Sequence, residues 1–168
     1  PIPSILDPRV VGDDPTDVLG VYSLSKQSNL AGYRAAFIAG DPVLIERLLT
    51  VRKHAGLMLP APVQAAMIAA LGDETHVAEQ RERYRARRGI LRPALEAAGY
   101  RIDASEAGLY LWVTRGVDAW EDVARFADLG IVVGPGTFYG NGSPQHVRLS
   151  TTATDAHITE AARRISGE

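Results

Sequence analysis

At 168 residues the chain is long enough for one substantial core, or for one domain and part of a second. Apolar residues make up 46% and charged residues 23%, which excludes a disordered chain, and a net charge of −2 excludes a global field recruiting nucleic acid or anionic membrane. The lack of cysteine excludes disulfides, thiolate metal sites and a cysteine nucleophile, and no apolar run approaches the roughly 20 residues that span a bilayer.

The N-terminal Pro-Ile-Pro-Ser has neither a signal-peptide layout nor an initiator Met, so a cytoplasmic piece of a longer protein is expected. Residues 1–18, rich in proline and aspartate, read as a loop. Residues 19–24 read as a short strand and 35–39 as a second, with Asn29 and Gly32 turning the chain between them. Asp41-Pro42 is a helix start, a cap followed by an N1 proline, and Leu44, Ile45, Leu48 and Leu49 keep helical spacing until Gly56 stops it. Pro60-Ala-Pro62 opens a short helix over 63–71, apolar nearly all round and so expected to be buried or to pack on a partner subunit.

Residues 75–98 have the pattern of a long helix capped by Thr75. Its arginine-rich middle offers two readings, a basic patch or a solvated face of Glu–Arg pairs, and the three- and four-residue spacing favours the pairs. Pro93 removes the hydrogen bond to Gly89 and predicts a kink or break. A long polar helix also suits an element that bridges two domains. Beyond it, 100–104 and 109–114 read as a strand pair, 118–129 as a helix with an Asp118/Glu121 capping box, and 131–133 as a short strand. The buried face of that helix is predicted to be Trp120, Val123, Ala124 and Ala127, with Gly130 ending it. Residues 146–151 read as a strand, and Thr154 caps a last helix with Ile158, Ala161, Ala162 and Ile165 inward.

Two stretches carry chemistry. In Val21-Tyr-Ser-Leu-Ser-Lys-Gln-Ser-Asn-Leu-Ala-Gly-Tyr-Arg34, Lys26 follows the first strand and so lies at the rim of a sheet. Partly desolvated and near the cation Arg34, such an amine becomes a nucleophile for carbonyl groups. Arg34 with the hydroxyls of Ser23 and Ser25 forms a phosphate cradle. A carbonyl-seeking amine beside a phosphate site is what pyridoxal 5'-phosphate (PLP) requires. In His146-Val-Arg-Leu-Ser150, alternation puts Val147 and Leu149 on the core face and Arg148 on the other, where it suits capture of a carboxylate. By spacing alone an exposed strand arginine is the simpler reading. The four histidines lack metal-ligand spacing and read as surface or cap residues, and Tyr139 has no assigned role.

The lysine stretch resembles the PLP-lysine signature of class I/II aminotransferases of fold type I. Gly134-Pro-Gly-Thr-Phe-Tyr-Gly140 with Val147-Arg-Leu-Ser150 resembles the same family's C-terminal motif, and Gly108-Leu-Tyr-Leu-Trp112 its small-domain strand. The resemblance implies an α/β chain comprising the end of a large PLP-binding domain (1–74), then an interdomain helix and a small α+β domain (75–168). It implies PLP as cofactor, held covalently by Lys26 and cradled by Ser23, Ser25 and Arg34, with Arg148 on the substrate's α-carboxylate. It also implies a homodimer acting on amino acids and 2-oxo acids, while charge, the lack of a long apolar run and the histidine spacing predict neither nucleic acid, membrane nor metal as partner. Arg52-Lys-His-Ala-Gly56, Pro60-Ala-Pro-Val-Gln64 and Gln80 to Arg88 resemble succinyldiaminopimelate aminotransferases, which implies glutamate-coupled transamination of N-succinyl-2-amino-6-oxopimelate. Other class I aminotransferases, PLP-dependent β-lyases and decarboxylases use the same fold and lysine, and a truncated, non-catalytic interaction module is the reading from another class. The family's upstream phosphate loop, ring-stacking aromatic and pyridinium-pairing aspartate have no counterpart here, so little activity is expected of this chain alone.

Overall fold

The computed structural model describes residues 3–167. They form two compact units, one reaching to Glu79 and the other starting at Gln80.

In the first unit, α1 (Pro8–Val11) is a single turn started by Asp7, whose carboxylate accepts from the Arg9 N–H at 2.9 Å. The expected loop over 1–18 is therefore interrupted, because an Asp-Pro pair is itself a helix start; residues 1 and 2 of that stretch lie outside the described residues. β1 (Leu19–Ser23) and β2 (Ala36–Gly40) pair antiparallel, with Leu19 opposite Gly40 and Ser23 opposite Ala36. At Gly40 the φ of +141° and the Val18 carbonyl oxygen, 2.1 Å from where a Cβ would sit, admit only glycine. Leu24, expected to end the strand, instead opens a one-turn helix, α2 (Leu24–Gln27).

Asp41 then turns the chain into α3 (Pro42–His54). One carboxylate oxygen accepts from the N–H groups of Val43 and Leu44 at 2.7 and 3.3 Å, the other from Asp17 N–H at 2.8 Å. The Asp17 bond first, and the helix-end bonds with it, hold the Asp41 carboxyl below its ordinary range. α4 (Ala61–Leu71) buries Met67 alone, against Leu24 and Ala35, while Ile68 and Leu71 stay exposed, as do Leu57 and Met58 before the helix. Burial within this chain's own packing, one of the two expectations for this helix, is thus not met.

α5 (Thr75–Ala97) starts in the first unit and ends in the second. Asp73, not Thr75, holds its start, accepting from the Thr75 N–H at 2.9 Å; the charged carboxylate is the stronger acceptor of the two. The helix runs unbroken through Pro93, where burial of Leu91, Ala94 and Leu95 supports the turn that lacks its hydrogen bond. Glu82–Arg85 and Arg92–Glu96 pair as their spacing predicts. Arg87 departs from that reading: its guanidinium donates to Asp155 at 2.6 Å and to the Thr151 carbonyl at 3.1 Å.

The second unit is an antiparallel sheet in the order β3 (Arg101–Asp103), β4 (Tyr110–Thr114), β6 (His146–Ser150), β5 (Gly134–Pro135), with α6 (Ala119–Asp128) and α7 (Asp155–Ser166). Leu111, Val113, Val147 and Leu149 share one core with Leu95 of α5, Phe126 of α6 and Ile158, Ala162 and Ile165 of α7. The alternation leaves Tyr110, Trp112, His146 and Arg148 on the opposite face. Residues 131–133 are not a strand. The Ile131 N–H is taken by the Phe126 carbonyl at 2.8 Å as α6 ends, so pairing begins only at Gly134. α6 is also turned relative to the predicted face: Ala119, Asp122 and Phe126 are buried and Trp120 is exposed. Asp122 goes inward because its carboxylate accepts from Tyr100 Oη at 2.8 Å and Arg115 Nε at 2.7 Å. The Asp118 cap accepts from the Trp120 N–H at 2.9 Å, and Thr154 from that of His157 at 3.3 Å.

Candidate functional site

In the first unit the site residues sit where β1 hands over to α2. Ser23 is extended, and its Oγ accepts from the Ser25 N–H at 3.2 Å, which caps the helix turn. Leu24 is fully buried and anchors that turn, and Lys26 projects from it, exposed. No acceptor among the described residues takes a bond from Lys26 Nζ or from the Ser25 hydroxyl. The partial desolvation expected for Lys26 is therefore not present in the packing of this chain, because nothing described covers the turn.

The chain returns through Asn29 and Arg34, both left-handed at φ 54° and 52°, a conformation that costs a branched or long side chain on the order of 1 kcal/mol. Arg34 is held there by its own fork, Nη1 donating to the Ala31 carbonyl at 3.0 Å. The next residue, Ala35, accepts from the Leu24 N–H at 3.2 Å, so the hairpin end sets the Arg34 backbone beside the turn carrying Lys26. Ser23, Ser25 and Lys26 thus share one turn, and Arg34 flanks it. His76, which the sequence left as a surface or cap residue, ties this region together: Nε2 meets Ser28 Oγ at 3.0 Å and Nδ1 meets Asp73 at 3.0 Å. One free amine, two hydroxyls and a guanidinium are the donor set that suits an aldehyde carrying a phosphate.

In the second unit Arg148 stands on the face predicted for it. Its guanidinium carbon lies 4.0 Å from the centre of the Tyr110 ring and 4.7 Å from that of Tyr139. Trp112, opposite Arg148 in the β4–β6 register, stacks on His146 at 5.3 Å and meets the Tyr139 ring edge-on at 5.7 Å. His146 Nε2 reaches Asp103 at 2.9 Å, and Arg101 donates to the same carboxylate from Nε at 2.8 Å. Arg101 first and His146 second hold the Asp103 carboxyl well below the usual carboxylate range. A half-buried cation with no counter-ion among the described residues is suited to an incoming carboxylate. Tyr110, Trp112 and Tyr139 were not legible as part of this arrangement; the parity of Tyr110 and Trp112 with their strand partners on β6 was the available signal. Among the described residues no cluster of His, Asp and Glu is arranged to hold a metal ion.

The sequence model of aminotransferase class I and II matches residues 6–165. The chain is 58% identical over 163 residues to the 4-dedimethylamino-4-oxo-anhydrotetracycline transaminase OxyQ of Streptomyces rimosus, a match covering 97% of this chain and 45% of that protein. A probable aminotransferase of Mycobacterium tuberculosis is 55% identical over 163 residues, covering 97% and 39%. Among solved structures, a probable N-succinyldiaminopimelate aminotransferase from Thermus thermophilus matches with a TM-score of 0.82 at 29% identity, covering 96% of this chain and 44% of that one. The chain therefore spans less than half the length of each of these proteins.

Proposed function

The chain belongs to the class I and II aminotransferases, which are PLP-dependent and of fold type I, and on that basis we propose that it carries the cofactor lysine and the carboxylate arginine of a transaminase. In this reading Lys26 holds the cofactor's aldehyde covalently, and Ser23, Ser25 and Arg34 receive its phosphate. Arg148 receives the α-carboxylate of the amino acid. The observation that carries the proposal is the unpartnered amine of Lys26 on a capped turn flanked by Arg34. The stretch up to residue 74 is the end of the large domain, and 75–168 the interdomain helix and small domain.

PLP, when bound, supplies the electron sink that makes the substrate's Cα–H bond labile. Once displaced by the incoming amine, Lys26 Nζ would be a free base, placed to take the proton from the substrate's Cα and to give it back. Arg148 fixes the carboxylate through paired N–H donors and so orients the Cα–H bond. Arg34 and the two serine hydroxyls offset the phosphate's charge and keep it in register with Lys26.

For the whole protein we propose glutamate-coupled amino transfer to N-succinyl-2-amino-6-oxopimelate in diaminopimelate and lysine biosynthesis. Likeness to the probable N-succinyldiaminopimelate aminotransferase of Thermus thermophilus supports it. The 58% identity to OxyQ favours a second reading, amino transfer to 4-dedimethylamino-4-oxo-anhydrotetracycline or a similar ketone. Rates with the two acceptors, measured side by side, separate these. A cytoplasmic homodimer completes the proposal, the dimer alone supported by the exposed Ile68 and Leu71 of α4.

The chain has two lysines, Lys26 and Lys53, which makes the test simple. Mixed with PLP and reduced with borohydride, it should carry the pyridoxyl group on Lys26 in preference to Lys53, as read by peptide mass spectrometry. Lys26→Ala should lose the cofactor's absorbance. Equal labelling of the two lysines, or none, would remove the assignment.

A further inference from the structure

We propose that Tyr110 and Tyr139 are positioning residues that hold the Arg148 guanidinium between their rings while leaving its N–H donors open. The inference rests on the reading of Arg148 as a carboxylate binder and adds what makes it one. Other arginines of the same unit are held by acceptors that use up donors. Arg87 donates to Asp155 and the Thr151 carbonyl, Arg101 to Asp103, and Arg115 to Asp122. Arg148 donates to no acceptor among the described residues, yet two rings fix it, at 4.0 and 4.7 Å.

The chemistry of the two ways of holding a guanidinium differs. A carboxylate partner engages the N–H groups in the guanidinium plane and cancels the charge. An aromatic ring attracts the cation through its π face, so the charge and the in-plane donors remain available to a ligand. The side-chain ordering is then complete before the ligand arrives, which raises affinity without any new contact to it.

The backbone is arranged to seat the second ring. Tyr139 closes a short 3₁₀ turn, Gly136–Tyr139, directly after β5. Gly134, the β5 residue opposite Arg148, has no side chain, and a Cβ there would come within 3.0 Å of Tyr139 Oη. At Gly136 a Cβ would meet the Ser143 carbonyl at 2.1 Å, so the turn itself tolerates no other residue. Tyr139 is half exposed and its hydroxyl donates to nothing described, so the ring face is the part that acts.

The test is a titration of the ¹⁵N-labelled chain with L-glutamate, followed at the Arg148 Nε–Hε resonance, which Arg148→Lys identifies by removing it. In the parent chain the resonance should be shifted by the ring currents and should move saturably with glutamate. Tyr139→Phe should keep both properties. Tyr139→Leu and Tyr110→Leu should each lose much of the ring-current shift and weaken glutamate binding roughly ten-fold, and Gly134→Ala, which asks only the hydroxyl end of Tyr139 to give way, should change both less. Tyr139 is at the surface, so its variants should keep the amide spectrum of the core. Leucine variants that bind glutamate as the parent does would overturn the positioning role and leave the reading of Arg148 standing. Arg148→Lys binding glutamate as the parent does, or a parent that shows no saturable shift, would overturn that reading and the proposal with it.

Discussion

Tyr100 shows how a single buried hydroxyl sets a pH limit on this fold. It is 3% exposed, and burial first, then its bond to Asp122, push its pKa up to about 12 from 10.0. A pKa raised in the folded state means that the neutral form is the one the fold favours. Its contribution to stability is therefore complete below pH 10.0 and falls as pH rises from there toward about 12. Tyr100→Phe should destabilise the protein by about 1–3 kcal/mol at neutral pH, since Asp122 loses a donor. The gap between parent and variant, measured from urea midpoints, should narrow across that alkaline window. A gap independent of pH would mean that the Tyr100 hydroxyl titrates alike in both states. The same residues explain a misreading at sequence level, because an aspartate in a helix is normally placed outward. Only the presence of Tyr100 and Arg115 across the core makes the inward position of Asp122 tolerable.

Among the elements, α3 is fixed by one side chain that serves two segments. Asp41 accepts from the first turn of the helix and from the Asp17 backbone, which precedes β1. Asp41→Ala should lower the unfolding temperature more than loss of a cap alone, because the bond to Asp17 goes with it. With its carboxyl held below the ordinary value of 3.8, the contribution of Asp41 is present above that pH and is lost as pH falls below it. The cost of the alanine substitution should therefore shrink in acid, as followed by thermal unfolding against pH. Asp41 and Pro42 were legible because caps are local chemistry within three residues. The strand expected over 131–133 does not form, because the chain there is spent on closing α6, with Ile131 bonded back to Phe126.

For the molecule as a whole, the two units are held with unequal means. The sheet of the second unit buries Leu111, Val113, Val147 and Leu149 under three helices, whereas the hairpin of the first rests on Leu24, Ala35 and Met67. Amide exchange should accordingly be slower on β4 and β6 than on β1 and β2. Faster exchange on β4 and β6 would show that buried core does not set the order of opening. If PLP is held at Lys26 as proposed, its binding should slow exchange on β1 and α2, and unchanged exchange there with saturating PLP would count against that placement. Sequence by itself determined the caps at Asp41, Asp118 and Thr154, the turn between the first two strands, and the parity that sets Arg148 opposite Val147 and Leu149. It also carried the motifs by which the chain is assigned to its family. All of these act through backbone preferences or side-chain alternation within a few residues. Tertiary structure alone decided which face of α6 is buried, where the strand beside Arg148 begins, and which rings enclose that guanidinium. These depend on which partners meet in the fold, from Phe126 behind Ile131 to Tyr110 on the strand beside Arg148, whose burial and hydrogen bonding can be weighed only once the chain has brought them together.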